Sequence, residues 1–183
     1  MSERLNKAIC HAVKCHNGQK RKIGKLPYIV HPLEVFTILV SMDASENLMI
    51  AGLLHDVLED TDAVPSEIES LFGPEVLALV LSHTEDKSHS WKQRKTDGLA
   101  FLAHADREEK MLVLADQLAN LRSIHHSMKE LSDQVFDYFN ASKEEICWYY
   151  TRSRELLSDF AEEIHCGEVF AEYSRLINSI FYG

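Results

Sequence analysis

Leu54-His55-Asp56-Val57-Leu58-Glu59-Asp60-Thr61 sets an imidazole and a carboxylate side by side in an otherwise apolar run, then adds two more carboxylates. If residues 46 to 60 form one helix, Glu59 lies one turn beyond His55 and Asp60 one turn beyond Asp56. Leu53, Leu54, Val57 and Leu58 then wall the polar groups with hydrocarbon. Charged groups in such a wall are strongly unfavourable unless they are paired or bound to a metal. The segment therefore predicts a helix that presents ligands.

Working outward, two more segments supply what this one lacks. Tyr28-Ile29-Val30-His31-Pro32 brings a second imidazole, and Leu114-Ala115-Asp116, with Asn120 four residues on, brings a further carboxylate. His31, His55, Asp56 and Asp116 make a mixed nitrogen and oxygen set, suited to a borderline-to-hard divalent metal. Taken singly each has a plainer reading: a polar helix edge, or a helix-entry residue where His31 precedes Pro32. An acidic helix end at Glu59-Asp60 is disfavoured by the helix dipole. The combination favours a site.

The rest of the chain reads as helices. Leu5, Ala8, Ile9, Ala12 and Val13 keep helical period over residues 3 to 16, and Asn17-Gly18 ends that helix. Further helices are expected from Pro32, over 46–60, over 66–72, from Pro74, over 91–103, 107–126, 143–164 and 168–181. A polar loop is expected over 83–90, and a connector with one helical turn over 131–140. No strand-like alternation stands out, so the prediction is a single all-α bundle.

Composition narrows the function. A chain of 183 residues is long enough for one domain with a substantial core. A net charge of −10 argues against nonspecific binding to nucleic acid or to an anionic membrane. Cys10, Cys15, Cys147 and Cys166 lack CxxC spacing and read as reduced packing residues. With no signal-peptide pattern and no apolar run of membrane-spanning length, a cytoplasmic location is expected. Against the acidic background Lys20-Arg21-Lys22 and Lys25 form a cationic cluster just before His31. It reads either as a solvated loop or as a clamp for a phosphate-rich substrate, and its position favours the clamp. The remaining histidines read as surface or packing residues; His83 and Lys87 are the exceptions expected to face the pocket.

Together with His16-Asn17-Gly18-Gln19-Lys20-Arg21-Lys22 and Leu118-Ala119-Asn120-Leu121-Arg122, these motifs resemble the HD-superfamily hydrolase domain. The likeness is to the Rel/Spo-type alarmone hydrolases and their small stand-alone forms. It runs over about residues 8–126, with C-terminal helices over about 143–181 completing a single HD-type domain of residues 1–183. The resemblance implies His31, His55, Asp56 and Asp116 as ligands of Mn²⁺ or another divalent metal. It implies Glu59 and Asp60 as the pair that positions the hydrolytic water, and Asn120 as a contact to the nucleotide sugar. Arg21 and Lys22 are implied around the base and phosphates; Lys20, from the cationic cluster, and Lys87, from the loop expected to face the pocket, complete the expected substrate-binding set. The implied reaction removes pyrophosphate from the 3′ position of guanosine tetra- or pentaphosphate. The alternative is an HD-type phosphohydrolase of another nucleotide or phosphorylated metabolite, with a homo-oligomer left open. The sequence departs from the family at Val113 and Gln117, where basic residues are common, and at Ala119. These departures leave the chemistry in place and bear on the substrate.

Overall fold

A computed structural model describes residues 2–183. Ten α-helices follow in order among them: α1 (Glu3–Cys15), α2 (Val30–Ser41), α3 (Glu46–Leu54), α4 (Val57–Asp60), α5 (Pro65–Phe72), α6 (Pro74–His83), α7 (Trp91–Leu102), α8 (Arg107–Leu131), α9 (Lys143–Leu156) and α10 (Gly167–Phe181). Two 3₁₀ segments, Ser132–Tyr138 and Ser158–Glu162, join the last three. No strand forms among the described residues, and only an isolated bridge between Lys20 and Pro27 tightens the loop before α2. The expected all-α architecture is what the chain adopts.

Local chemistry accounts for the helix ends. Ser2 and Ser45 cap α1 and α3 by accepting from the backbone N–H of Leu5 and Leu48. Reciprocal capping boxes, Asp106 with Glu109 and Ser142 with Glu145, start α8 and α9. Pro65 and Pro74 open α5 and α6 where a missing N–H carries no penalty.

The centre of the fold is the contact of α2 with α3 and α8, with α6 packed against both α3 and α8. Gly52 permits the α2–α3 approach, because a Cβ there would stand 2.4 Å from Leu39 Cδ1. Leu39, Leu48, Ile50, Leu53, Leu54, Leu112, Leu114 and Leu118 are fully buried in the resulting core. The C-terminal helix α10 packs along α8 and against α9, while α9 also meets α7. Among the described residues no helix is long and apolar enough to cross a membrane.

Two predicted helices are broken. The helix expected over 46–60 stops at Leu54 and resumes at Val57. His55 Nδ1–H donates to Gly52 O at 2.8 Å, taking the carbonyl that the Asp56 N–H would use in an unbroken helix. The helix expected over 143–164 ends at Leu156, where Ser158 Oγ donates to Glu155 O at 2.8 Å and turns the chain into 3₁₀ geometry that buries Phe160. In the other direction, α8 continues to Leu131 rather than stopping near 126.

Candidate functional site

The break at His55-Asp56 has a geometric consequence. It lets both side chains reach one point, which His31 in the first turn of α2 and Asp116 midway along α8 reach as well. Single donor atoms of His31, His55 and Asp116 all lie within 4.8 Å of one another. Asp56 Oδ2 adds a fourth, 3.0 Å from His55 Nε2 and 3.6 Å from His31 Nε2. Asp116 Oδ1 stands 3.0 Å from His31 Nε2 and 3.6 Å from His55 Nε2. His83, singled out from the sequence, brings Nε2 to 3.5 Å from Asp116 Oδ2 and packs its ring edge-on to His55.

These donors fit a divalent cation. The bond from His55 Nδ1–H to Gly52 O fixes the tautomer, so in the neutral ring Nε2 aims a lone pair at the cluster. That lone pair faces His31 Nε2 at 3.2 Å, with carboxylate oxygens on both sides. Two imidazole nitrogens that close need a proton or a metal ion between them, since two facing lone pairs repel. The electrostatics say the same. Burial alone would raise the Asp56 and Asp116 pKa values, yet the adjoining histidines outweigh it and hold both carboxyls well below the usual range. Burial likewise opposes a charged His55, but the Asp56 and Asp116 carboxylates lift its pKa well above that of a free imidazole. His31 moves down, with burial the largest cause. Buried anions flanking basic nitrogens attract a cation, whether protons or a metal.

Beside this cluster the short helix α4 presents the acidic pair, and the two carboxylates differ. Asp60 is tied on every side. Its Oδ1 accepts from Lys87 Nζ at 2.6 Å, its Oδ2 from Tyr28 Oη at 3.1 Å, and its main-chain O from Gln19 Nε2 at 2.6 Å. Glu59 accepts one hydrogen bond through its carboxylate among the described residues, from the Glu85 backbone N–H at 3.2 Å. Burial is the largest influence on Glu59 and raises its pKa. One carboxylate is fixed and one is basic.

Tyr28, whose residue type and position in the sequence carry no role of their own, joins the cluster to the acidic pair. Its hydroxyl lies 2.7 Å from Asp56 Oδ2 as well as 3.1 Å from Asp60 Oδ2, and one proton serves both. Burial, then the Asp56 charge, raise the phenol pKa so far that the proton stays on oxygen.

All of this opens into a cavity of about 890 Å³. Arg21 enters it, donating from Nη2 to Asn120 Oδ1 at 2.8 Å with its guanidinium 5.6 Å from the Tyr28 ring centroid. Asn120 in turn donates from Nδ2 to Asp116 Oδ1 at 2.8 Å, which couples the clamp to the cluster. Lys22 and Lys87 line the cavity, but Lys20 does not: it is exposed, on the strand-like edge that pairs with Pro27. Arg21 follows Lys20 on the extended edge and so points to the opposite side, whereas Lys22 lies beyond it in the turn and reaches the cavity from there. The far wall comes from α7 and α9, through Arg94, Lys95, Tyr149 and Tyr150. There Gln117 donates to Tyr149 Oη at 2.8 Å and Ser153 Oγ at 3.1 Å and accepts from Tyr173, so its amide is spent inside the protein. Of the other histidines, His11 packs edge-on to Phe72, and His16 is buried against Tyr28 with Nδ1 on Gln19 Oε1 at 2.8 Å.

Comparison with known proteins points the same way as the geometry. Residues 8–146 match the HD domain family. The chain is 39% identical over 144 residues to the guanosine-3′,5′-bis(diphosphate) 3′-pyrophosphohydrolase of Drosophila melanogaster, covering 74% of this chain and 80% of that one. It is 35% identical over 167 residues to the GTP pyrophosphokinase of Myxococcus xanthus, covering 83% of this chain but spanning only 22% of that protein's length. Among solved structures, a metazoan ortholog of SpoT that hydrolyses ppGpp superposes with a TM-score of 0.80 at 27% identity, covering 98% of this chain and 96% of the other. A Listeria monocytogenes protein superposes with a TM-score of 0.76 at 35% identity, covering 86% and 97%.

Proposed function

The chain belongs to the HD domain family, and on that footing we propose that it is a metal-dependent enzyme removing pyrophosphate from the 3′ position of guanosine 3′,5′-bis(diphosphate). The observation that carries the reading is the convergence of His31, His55, Asp56 and Asp116 beside one fixed and one basic carboxylate, at a cavity that also holds Arg21 and Lys22. Those four residues are the proposed ligands, and Mn²⁺ is the proposed ion. A divalent ion supplies Lewis acidity toward a phosphoryl oxygen and makes water more acidic.

The chain's own groups do the rest. Glu59 takes the proton of the attacking water, its basicity raised by burial. Asp60, immobilised by Tyr28, Lys87 and Gln19, orients that water. Arg21, Lys22 and Lys87 neutralise phosphate charge, and Asn120 contacts the sugar. Lys20, outside the cavity, is given no contact to substrate. Residues 1–183 act as one HD-type domain in the cytoplasm, with α9 closing the cavity through Tyr149 and Tyr150.

Val113 and the internally bonded Gln117 bring no positive charge from α8 to the cavity, which supports a second reading: another nucleotide or phosphorylated metabolite. One experiment separates the two. With Mn²⁺ and guanosine tetraphosphate, anion-exchange chromatography should show GDP and pyrophosphate. Intact tetraphosphate alongside turnover of a different phosphate ester would replace the first reading with the second.

A further inference from the structure

Glu85 uses its two ends in opposite directions. Its backbone N–H meets Glu59 Oε2 at 3.2 Å, while its carboxylate turns toward α7. There Arg94 Nε donates to Oε2 at 2.7 Å and Lys95 Nζ to Oε1 at 2.6 Å, all three side chains being mostly buried. Lys95 is held from its other side. Its ammonium sits 5.0 Å from the Tyr149 ring centroid, and the Tyr149 hydroxyl accepts from Gln117 on the helix that carries Asp116. A continuous set of contacts therefore runs from α8 through α9 and α7 to the one hydrogen bond on the Glu59 carboxylate.

We infer that Glu85 is a positioning residue: Arg94 and Lys95 clamp its side chain so that its main-chain N–H holds the Glu59 carboxylate in place. The inference rests on the proposed role of Glu59 and touches no substrate group itself. It also gives the C-terminal helices a task, since α9 supplies the aromatic face under Lys95. The physical case is one of entropy. Glu85 lies in the irregular stretch between α6 and α7, and a loop N–H aims reliably only when the loop is anchored. Two charge-assisted bonds to one carboxylate provide that anchor. The same N–H opposes the burial that raises the Glu59 pKa, as a donor to the ionised form must.

Lys95→Met removes half of the clamp without touching Glu85 or Glu59, and Lys95→Arg keeps it. Arg94→Gln is the milder companion should Lys95→Met fold poorly. The first measurement needs no turnover. In ¹⁵N-labelled protein loaded with diamagnetic Mg²⁺, the Glu85 amide resonance should shift and exchange faster in Lys95→Met and Arg94→Gln, and stay near the wild-type position in Lys95→Arg. An amide that ignores loss of the clamp in both variants overturns the inference whatever the substrate. The second measurement is a double-mutant cycle on whichever phosphate ester is consumed. Lys95→Met should lower kcat about tenfold with little change in KM, as expected for loss of a charge-assisted hydrogen bond. In the Glu59→Gln background the same change should cost less than about twofold, because the residue it serves is already gone. Equal losses in both backgrounds would overturn the inference. Failure of every ester to turn over would count against the proposed reaction alone, leaving the amide measurement to decide whether Glu85 holds Glu59.

Discussion

Removing a single oxygen at Tyr28 tests how the acidic pair and the metal cluster are joined. The hydroxyl stands 2.7 Å from Asp56 Oδ2 and 3.1 Å from Asp60 Oδ2, and its ring is packed between His16, 4.8 Å away, and His31, 6.0 Å away. Tyr28→Phe keeps that packing, so the fold should survive, with Tm lowered by several degrees as the hydrogen bond is lost. What disappears is a donor to an ionised carboxylate, an interaction worth about 1.5–3 kcal/mol, or about 10- to 100-fold in an equilibrium constant. Asp56 bears most of the loss because its bond is the shorter. Metal affinity should therefore fall by about 10- to 100-fold, the range seen when a group orienting a ligand is removed. Isothermal titration of metal-stripped protein with Mn²⁺ reads this directly, and activity at saturating metal separates it from any effect on Asp60. Unchanged metal affinity in a folded Tyr28→Phe protein would refute the reasoning, because Asp56 would then not depend on the phenol for its orientation.

His55→Ala or Asp56→Ala should abolish metal retention and hydrolysis together, since each deletes one of four converging donors; elemental analysis after dialysis checks this. Glu59→Gln should keep the metal while kcat falls by about 100-fold or more, within the range of about 10²- to 10⁴-fold for loss of a general base. A base works deprotonated, so wild-type activity should rise with pH through a pKa above that of an ordinary glutamate, and this acidic limb should vanish from the pH–rate profile of Glu59→Gln. Gly52→Ala should destabilise the fold by about 1–3 kcal/mol through overpacking against Leu39, read as a lower Tm in thermal unfolding.

Helix periodicity, with boundary residues such as Asn17-Gly18 and Pro74, was enough to foresee an all-α chain, because amphipathic stripes and turn signals are properties of a few neighbouring residues. Leu5, Ala8 and Ala12 do lie buried along one stripe of α1, and Pro74 does open α6. Residue type alone also marked His31, His55, Asp56 and Asp116 as a set, since little else explains such groups in apolar runs. Two helix breaks escaped notice for a local reason. Periodicity counts side chains, whereas His55 and Ser158 end their helices by competing for carbonyl oxygens. The remaining misses are long-range. Tyr28 reaches Asp56 across 28 residues and Arg21 reaches Asn120 across 99, separations at which no spacing rule operates. Sequence by itself determined which elements form and which side chains are chemically apt. Only the tertiary structure decided which of those side chains meet: it turned Arg21 inward and Lys20 outward, fixed Asp60 while leaving Glu59 basic, and brought α7 and α9 round to wall the cavity. The physical reason is that hydrogen bonds and ion pairs depend on distances the chain sets only when the helices pack.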